Sequence, residues 1–319
     1  MLLRIQPDES LRSFVERNLY LNWQDPSVEV FSDISRYFMR NEVVRIIAET
    51  MGWGGCYGFN HLIHYHTGYP LKSIFKDNFQ DIAYSGSKFI LGRQYVENEE
   101  KHAAFCPECV KDDINRIGFS YWRRLHRSLD VCAKHNVHLL RHCPFCGVVF
   151  SKHGEGKGYS TMWTGCEGRH FTECDSKQNF DKEKLKRSVV YEEICGYEYH
   201  IPKQLAVNVL HEKLRCNAVE DYMKVDEMSV YIDKLQSAAN RLGGLKGCEY
   251  LLEDFSALIF ESIIFTYDHF SEFVTDVRRH GYELHGVSSF MSTYRVETSG
   301  SSDYVRDGYT FNFLQPPFK

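Results

Sequence analysis

Hydrophobic residues near the start of the chain recur every three or four positions, as they do along one face of a helix. Leu11, Phe14, Val15 and Leu19 form this stripe. The preceding run Pro7-Asp8-Glu9-Ser10 supplies a proline that starts helices and side chains that cap the free N–H groups of a first turn. The sequence therefore predicts a helix directly after this run.

A second apolar stripe predicts a helix that starts at Asn41 and stops at Gly52-Trp53-Gly54-Gly55, because three glycines in four residues cannot hold a helix. Asn60 opens a further short helix that ends at Gly68 and Pro70. Two helices joined by a glycine-rich turn resemble a helix-turn-helix, which places its second helix in the major groove of DNA. Because no arginine or lysine lies between Asn60 and Pro70, we favour a structural or protein-binding helix pair over a direct DNA reader.

Apolar positions at helical spacing also dominate the C-terminal part of the chain. They predict a helix that starts at Pro202, a second over about Asp226 to Leu242, and a third from Leu251 to about Val277. The third helix carries several acidic side chains, which repel phosphate, so it favours a protein partner or a core role over DNA. The tail after Gly286 contains Ser299-Gly300-Ser301-Ser302 and is predicted to be irregular.

Seven of the eleven cysteines fall between Cys106 and Cys174. Cys106-Pro-Glu-Cys109 and, after a gap of 22 residues, Cys132-Ala-Lys-His135 form a Cys3His set. Each pair makes a tight turn that presents two soft ligands, and two pairs complete the tetrahedron that zinc prefers. Because four protein ligands leave no position for water or substrate, this first zinc site is predicted to be structural.

Cys143-Pro-Phe-Cys146 starts a second zinc site whose other half is irregular. Cys166 is the expected third ligand, and the fourth is either Cys174 or His170. We favour Cys174, because thiolate binds zinc more firmly and Cys166 and Cys174 can close as a widened pair. We therefore expect two zinc ions per chain. Disulfides are the competing explanation, but we expect no signal peptide, and Cys-x2-Cys pairs in a reducing compartment are typical of metal sites.

These patterns predict a mainly α protein with small β zinc ribbons. We expect a helical, helix-turn-helix-like N-terminal domain (residues 1–84), a tandem zinc-ribbon domain (85–180), a helical C-terminal domain (181–285) and an irregular tail (286–319). A chain of 319 residues with 43% apolar content can bury a substantial core, which fits two or three domains.

The net charge of −5 argues against a generally basic surface for nucleic acid. Between residues 106 and 170, however, ten Lys and Arg residues outnumber six Asp and Glu residues. Arg123, Arg124 and Arg127 are the candidate contacts with a partner or nucleic acid here, although an excess of this size is as often ordinary solvated surface. No apolar run reaches the roughly 20 residues that span a bilayer, so we expect no membrane contact and a cytoplasmic protein.

The zinc ligands belong to a longer pattern: Phe105-Cys106-x2-Cys109, Gly118, Tyr121-Trp122-Arg123-Arg124-x-His126, Cys132-x2-His135, Leu139 and Cys143-Pro-Phe-Cys146. Near the start stands Pro7-Asp8-Glu9-Ser10-Leu11-x2-Phe14. Together they resemble the signature of the TniQ/TnsD family, the target-selection proteins of transposons with a multi-component transposase. The resemblance covers roughly the first 175 residues. It implies a helical N-terminal domain, paired zinc ribbons and a helical C-terminal region.

The resemblance implies a protein that does no chemistry itself. It would mark a destination on DNA and pass it to an ATPase regulator, which recruits the transposase. TnsD-like members read an attachment site themselves and tend to be long, whereas short TniQ members of CRISPR-associated transposons dock, often as homodimers, on an RNA-guided effector complex. Because this chain is short, acidic and without an evident basic recognition helix, we favour the effector-docking form. A TnsD-like reader of DNA and a zinc-dependent DNA-binding regulator are the alternatives.

Motifs of enzymes that use zinc or ATP are missing from the sequence. It contains no His-Glu-x2-His, and the His-x-Glu of zinc deaminases is absent upstream of Cys106, since Ala103 and Ala104 follow His102. It also lacks a phosphate loop of the Gly-x4-Gly-Lys-Ser/Thr type. We therefore expect no catalytic residue and no small-molecule substrate, and any ATP hydrolysis belongs to a partner.

Overall fold

The computed structural model describes residues 3–22, 38–76, 95–97, 103–125, 127–150, 152–153, 162, 165–197, 199, 201–220, 225–244 and 255–285. These residues are mostly helical, as the sequence predicts: α1 (Leu11–Leu21), α2 (Asn41–Thr50), α3 (Gly55–His66), α4 (Pro70–Ile74), α5 (Pro107–Ile117), α6 (Lys182–Cys195), α7 (Lys203–Glu220), α8 (Val225–Gly244), α9 (Ser256–Thr266) and α10 (Phe270–His285). A 3-10 turn covers Phe171–Glu173. The predicted irregular tail, residues 286–319, lies outside the described residues.

Short strands pair two by two within the described ranges. β1 (Phe38–Arg40) is antiparallel to β3 (Tyr95–Glu97), with Met39 opposite Val96. β2 (Phe75–Lys76) is parallel to β4 (Ile201–Pro202). Among the helices that can be described, none has both the length and the apolar character needed to cross a bilayer.

The described residues form two compact units. The first lies within Met1–Pro70 and Leu91–Glu192, and the second within Leu71–Ile90 and Glu193–Lys319. The first unit therefore joins the N-terminal helices to the cysteine-rich segment. The domain boundaries inferred from the sequence at residues 84, 180 and 285 stay a prediction.

Helix α1 begins where its capping residues predict. Ser10 is the N-cap, and its Oγ accepts a hydrogen bond from the backbone N–H of Ser13 at 3.1 Å. Leu11, Phe14 and Leu19 are buried. The predicted stripe is therefore the core face of the helix.

The carboxylate of Glu9 is fully buried and pairs with Arg17 of α1. Arg17 Nε donates to Glu9 Oε1 at 3.0 Å, and Arg17 Nη2 donates to Glu9 Oε2 at 2.8 Å. The backbone N–H of Gln6 and the hydroxyl of Ser13 donate the remaining bonds to this carboxylate. Because Arg17 Nη2 also donates to the carbonyl of Arg4 at 2.7 Å, the network ties the segment before α1 to the helix.

Helices α2 and α3 pack against each other across the predicted glycine-rich turn. Helix α3 begins at Gly55, five residues before the predicted start at Asn60, and Gly54 is its N-cap. Glycine is tolerated at an N-cap, so this glycine run both ends one helix and starts the next. A Cβ atom at Gly58 would come within 1.8 Å of the Trp53 carbonyl oxygen, so the close approach of the turn to α3 requires glycine there.

The segment before α1 pairs with part of the cysteine-rich stretch. Residues 8–10 run antiparallel to residues 122–124, with a bridge between residues 9 and 123. Ser10 N donates to Trp122 O at 2.8 Å, and the backbone N–H of Arg124 donates to the carbonyl of residue 8 at 2.9 Å. The start of α1 is therefore held by residues 122–124, which lie between Cys109 and Cys132 in the sequence.

Helices α7 and α8 form the main packing pair of the second unit, and α9 and α10 pack on α7. The helix predicted over Leu251–Val277 is two helices within residues 255–285, with an extended backbone at Tyr267 between them, and its first residues, 251–254, lie outside the described residues. The carboxylate of Glu272 accepts hydrogen bonds from the N–H groups of Asp268 and His269, at 3.2 and 3.4 Å. This cap starts α10 and explains why the long apolar run does not form one helix.

Protonation of His66, at the end of α3, should weaken the first unit. Burial lowers the pKa of His66 from 6.5 to about 4, and nearby His61 and Arg124 lower it too, while the Glu9 carbonyl, 2.8 Å from His66 Nδ1, and Asp8 act in the opposite direction. The unfolded chain therefore takes up a proton near pH 6.5 that the folded chain takes up only near pH 4. The stability that neutral His66 contributes is full above pH 6.5 and is lost as the pH falls towards 4.

We expect this group alone to remove about 3 kcal/mol from the unfolding free energy between neutral pH and the folded pKa. Urea denaturation at a series of pH values measures the effect. His66→Gln keeps a donor for the Glu9 carbonyl but cannot titrate there, so its stability should depend less steeply on pH than that of the parent protein. Titrations common to both proteins, such as that of Glu9, cancel in this comparison. Parallel pH profiles would contradict the assignment.

Candidate metal centres

The first group of metal-binding side chains starts at the N-terminus of α5. Cys106 is the N-cap, its Sγ accepts a hydrogen bond from the N–H of Cys109 at 3.4 Å, and Pro107 occupies the first helical position. The helix ends at Gly118, whose φ of 79° lies in the left-handed region. The sequence predicts only a tight turn at Cys106–Cys109, whereas the structure continues it as a helix of three turns.

The other half of the first group comes from a turn that contains Cys132 and His135, and the same turn recurs at Cys143. In both turns the residue after the second ligand has a positive φ, 53° at Asn136 and 74° at Gly147. Its N–H donates to the carbonyl of the first cysteine, at 2.9 Å and 2.8 Å respectively. The N–H of that first cysteine donates to the carbonyl five residues later, again at 2.9 and 2.8 Å. Two segments of different sequence therefore fold into the same turn, and each turn presents two candidate metal ligands.

Ligand atoms of Cys106, Cys109, Cys132 and His135 all lie within 4.8 Å of one another. His135 Nδ1 is 3.4, 3.3 and 3.7 Å from the sulfurs of Cys106, Cys109 and Cys132, and the sulfurs of Cys109 and Cys132 are 3.7 Å apart. Metal–sulfur bonds of about 2.3 Å and metal–nitrogen bonds of about 2.0 Å place neighbouring ligands of a tetrahedron about 3.5–3.8 Å apart. The group therefore fits a tetrahedral metal ion. None of the described cysteines forms a disulfide.

Metal binding to this group would be coupled to proton release. Contacts with the sulfurs of Cys106 and Cys132, together with burial, raise the pKa of the Cys109 thiol. A bound cation has the opposite effect, because it stabilises the thiolate that ligates it.

Asp112, one turn further along α5, orients the histidine of the first group. His135 Nε2 lies 3.1 Å from Asp112 Oδ2, so the ring nitrogen that faces away from the sulfurs donates to a carboxylate. Lys134 forms an ion pair with the same oxygen. Contacts with Lys134 and then with His135 keep the pKa of the Asp112 carboxyl below its usual value, so this carboxylate is charged at neutral pH. This arrangement presents His135 Nδ1 to the metal position.

The second group consists of Cys143, Cys146, Cys166 and His153, whose ligand atoms also lie within 4.8 Å of one another. Cys166 enters on a tight turn in which its N–H and C=O both bond to Arg169, at 2.9 Å each. Cys143 is buried, and the other three side chains are partly exposed. Sequence reasoning did not find His153. Its only signal is a histidine seven residues after Cys146, outside any paired spacing.

The two alternatives for the fourth ligand of this site have other contacts. Cys174 is buried among the aromatic residues beside Cys143, and its sulfur is not one of the grouped ligand atoms. His170 is the N-cap of the 3-10 turn, where its Nδ1 accepts a hydrogen bond from Thr172 N at 3.1 Å. Glu173 completes this capping box by accepting a bond from His170 N at 2.9 Å.

An aromatic cluster supports the second group from inside the first unit. Phe105 packs against Trp122 and Phe150, with ring centroids 5.9 and 5.1 Å apart, and Phe150 packs edge-on against Phe171 at 5.7 Å. Cys143 belongs to the same buried cluster. Aromatic pairs at these separations add to the stabilisation that burial provides, so this cluster fixes the position of one ligand.

Residues 1–139 match the TniQ family. The chain contains a TniQ domain. The match confirms the resemblance seen in the sequence, and it covers all four residues of the first group but ends before Cys143. No curated protein matches the chain. A TniQ domain implies a role in target selection during transposition.

The three candidate contact arginines of the TniQ domain have different surroundings. Arg123 donates two hydrogen bonds to the buried carboxylate of Asp113, at 2.8 and 2.9 Å, and its guanidinium lies 4.5 Å from the centre of the Tyr121 ring. The side chain of Arg124 is only 3% exposed and pairs with Asp8 at 2.9 Å. These contacts favour a structural role for both. Arg127 is exposed, and partner contact stays a prediction for it.

Proposed function

We propose that this protein is a non-catalytic target-selection adaptor for DNA transposition. It would link a target-recognition complex, an RNA-guided CRISPR effector, to the ATPase regulator and the transposase of the transposon. The observation that carries the proposal is the TniQ match over residues 1–139, which encloses a complete set of four metal ligands. TniQ proteins in general act without catalysis, and a group with four protein ligands offers no open metal position for a substrate.

We propose that the metal in both groups is zinc. Cysteine and histidine ligands in a tetrahedron are the set that structural zinc prefers. Cys106, Cys109, Cys132 and His135 would hold the first ion, and Cys143, Cys146, Cys166 and His153 the second. The tandem turns then form zinc ribbons, and α2 and α3 form a helix-turn-helix-like pair. Zinc here would fix the geometry of the TniQ domain and would take no part in a reaction.

The fourth ligand of the second site can be identified by metal content. His153→Ala should bind one zinc ion fewer per chain than the parent protein, because it removes a grouped ligand atom. Cys174→Ala should keep both ions, because its sulfur lies outside the group. Mass spectrometry of the purified variants measures the metal content. Loss of zinc in Cys174→Ala with full retention in His153→Ala would instead identify Cys174 as the ligand.

Asp112→Asn should weaken zinc binding at the first site by about 10–100-fold, because it removes the carboxylate that orients His135. Competition against a chelating dye measures the affinity. Asp130→Asn is the matched control, since Asp130 is 51% exposed, against 48% for Asp112, and also pairs with a lysine, Lys184 at 3.7 Å. Equal affinities of the two variants would show that Asp112 does not act through the histidine.

Charge supports the effector-docking form over direct reading of DNA. The chain has a net charge of −5, and helix α3 carries no arginine or lysine with which to contact phosphates. The ATPase regulator, the transposase and the effector ribonucleoprotein are the proposed partners, and two copies of the chain could assemble on the effector. A TnsD-like protein that reads an attachment site itself and a zinc-dependent DNA-binding regulator stay the alternative hypotheses.

Two measurements test this function. Tagged full-length protein, loaded with zinc, should retain the effector complex and the ATPase regulator encoded with it in a pull-down, and a metal-free preparation should not. Titration of bare duplex DNA at several salt concentrations separates the alternatives, because tight, sequence-dependent binding with a steep salt dependence would favour a direct reader. Retention of neither partner would contradict the adaptor function.

A further inference from the structure

A groove of about 820 Å³ opens in the first unit, and none of its described lining residues belongs to either candidate metal group. The segment before α1, the turn between α2 and α3, and the end of α5 form its walls. Arg4, Trp53, His61 and Arg116 are among the residues that line it. No acidic side chain of the described residues contributes to the lining. The groove therefore combines aromatic rings with positive charge.

The aromatic rings form a continuous row along α3. Trp53 meets His61 edge-on, with ring centroids 4.9 Å apart. Tyr57 stacks on His61 at 5.7 Å and 29°, and the Tyr65 ring lies 4.5 Å from His61 at 46°. Residues 57, 61 and 65 are four positions apart, so their side chains share one face of the helix. Tyr57 is 52% exposed, which leaves part of this row open to a ligand.

Two guanidinium groups at the groove are available for an anion. Arg4 is exposed and forms no ion pair within the described part of the chain. Arg116 has a side chain that is 56% exposed, and its contact with Asp113 is 3.4 Å long. Arg123 already satisfies the Asp113 carboxylate with shorter bonds of 2.8 and 2.9 Å. Neither Arg4 nor Arg116 is therefore needed to neutralise a charge within the protein.

We propose that this groove binds single-stranded DNA, with one base stacked on Trp53 in the groove, a second on the exposed ring of Tyr57 next to His61, and phosphates at Arg4 and Arg116. Proteins bind single strands through this combination of a cationic groove and exposed aromatic rings, since a duplex hides the faces of its bases. Two polar side-chain atoms of the lining are engaged within the protein, because Gln6 Nε2 donates to the Arg4 carbonyl at 3.2 Å and His66 Nδ1 contacts the Glu9 carbonyl at 2.8 Å, so neither is available to read the 2′-hydroxyl of RNA.

The strand that an RNA-guided effector displaces at its target is single-stranded DNA. An adaptor that binds this strand would sense that the target has been opened, in addition to contacting the effector. This link to the target rests on the proposed function. The binding of single-stranded DNA by the groove does not, so the two can fail separately.

Fluorescence anisotropy of a labelled dT20 strand, titrated with the zinc-loaded full-length protein, tests the proposal. We expect dT20 to bind at least about tenfold more tightly than a 20-base-pair duplex, and Tyr57→Ala, which removes the exposed ring, to weaken binding by at least about fivefold. Arg4→Gln combined with Arg116→Gln should also weaken binding, and it should reduce the slope of log affinity against log salt by about 1.4, or about 0.7 for each phosphate contact. Thermal melts verify that each variant is folded.

Arg279→Gln is the matched control, because Arg279 is 65% exposed and contacts Asp276 at 3.4 Å with the same i,i+3 spacing as Arg116 and Asp113. It should bind dT20 as the parent protein does.

The proposal is overturned if duplex binds as tightly as dT20, or if the double arginine variant behaves like the control. Tighter binding of an rU20 strand would assign the groove to RNA, and displacement of dT20 by poly-glutamate at equal charge would show a general anion surface. All of these results leave the pull-down with the effector as a separate test of the adaptor function.

Discussion

Replacing Cys109 with serine should release one zinc ion and unfold the cysteine-rich part of the first unit. The Cys109 sulfur lies 3.7 Å from the sulfur of Cys132 and 3.3 Å from His135 Nδ1, so it completes the tetrahedron. The free energy of zinc binding to such a group can reach about 10 kcal/mol, which is comparable with the whole stability of a domain. Because residues 8–10 form backbone hydrogen bonds with residues 122–124, unfolding of the cysteine-rich part should also destabilise α1.

Far-UV circular dichroism during a thermal melt, together with zinc content, measures this result. His135→Ala should have the same effect as Cys109→Ser, because either change opens the same ligand set. Cys216→Ser is the control: this cysteine is exposed on α7, belongs to neither group, and should change neither zinc content nor melting temperature. A Cys109→Ser protein that melts with the parent would refute the structural role of the metal.

Arg17→Met should lower the unfolding free energy by about 3–5 kcal/mol, because it leaves the fully buried carboxylate of Glu9 without its partner. The remaining donors to that carboxylate, the N–H of Gln6 and the hydroxyl of Ser13, do not neutralise its charge. Replacing Glu9 with methionine as well should recover most of the loss, since the double variant buries no charge. Urea denaturation at pH 7 or above, where His66 is neutral, measures both values.

Lys111→Met provides the comparison for the buried pair. Lys111 pairs with Glu108 at the same distance of 2.8 Å, but the two side chains are 36% and 33% exposed. Water screens such a pair, so its loss should cost about 1 kcal/mol or less. Similar losses for Lys111→Met and Arg17→Met would mean that burial does not set the energy of the Glu9 pair.

Local patterns in the sequence were sufficient to predict α1 and the end of α2. Ser10 caps α1 and the stripe from Leu11 to Leu19 is buried, because both features depend on residues within a few positions of one another. The ligand spacing also identified the three cysteines and the histidine that the structure groups first. A Cys-x2-Cys or Cys-x2-His turn brings its two ligand atoms close together, so the spacing of these residues in the sequence is enough to predict the group.

Elements that depend on distant contacts were harder to predict. The helical continuation of Cys106–Cys109 was missed, although Pro107 at its first position and Gly118 after its end are both helix signals. His153 lies seven residues after Cys146 and forms no Cys-x2-His pair with it. Ligand spacing along the sequence therefore does not identify His153 as a member of the second group. Arg124 pairs with Asp8, which lies 116 positions away in the sequence, so the run of arginines alone does not predict its burial.

Antiparallel pairing of residues 8–10 with residues 122–124 decides how this protein can be shortened for interaction mapping. A fragment that stops after α4 would remove the hydrogen-bond partners of residues 8 and 10 and the bond from Trp122 N to Ser13 Oγ, so the start of α1 should lose its anchor even if each helix is intact. Truncations meant to locate the binding site of a partner should therefore retain all residues up to the end of the turn that contains Cys143 and Cys146. Shorter pieces would report loss of folding as loss of binding.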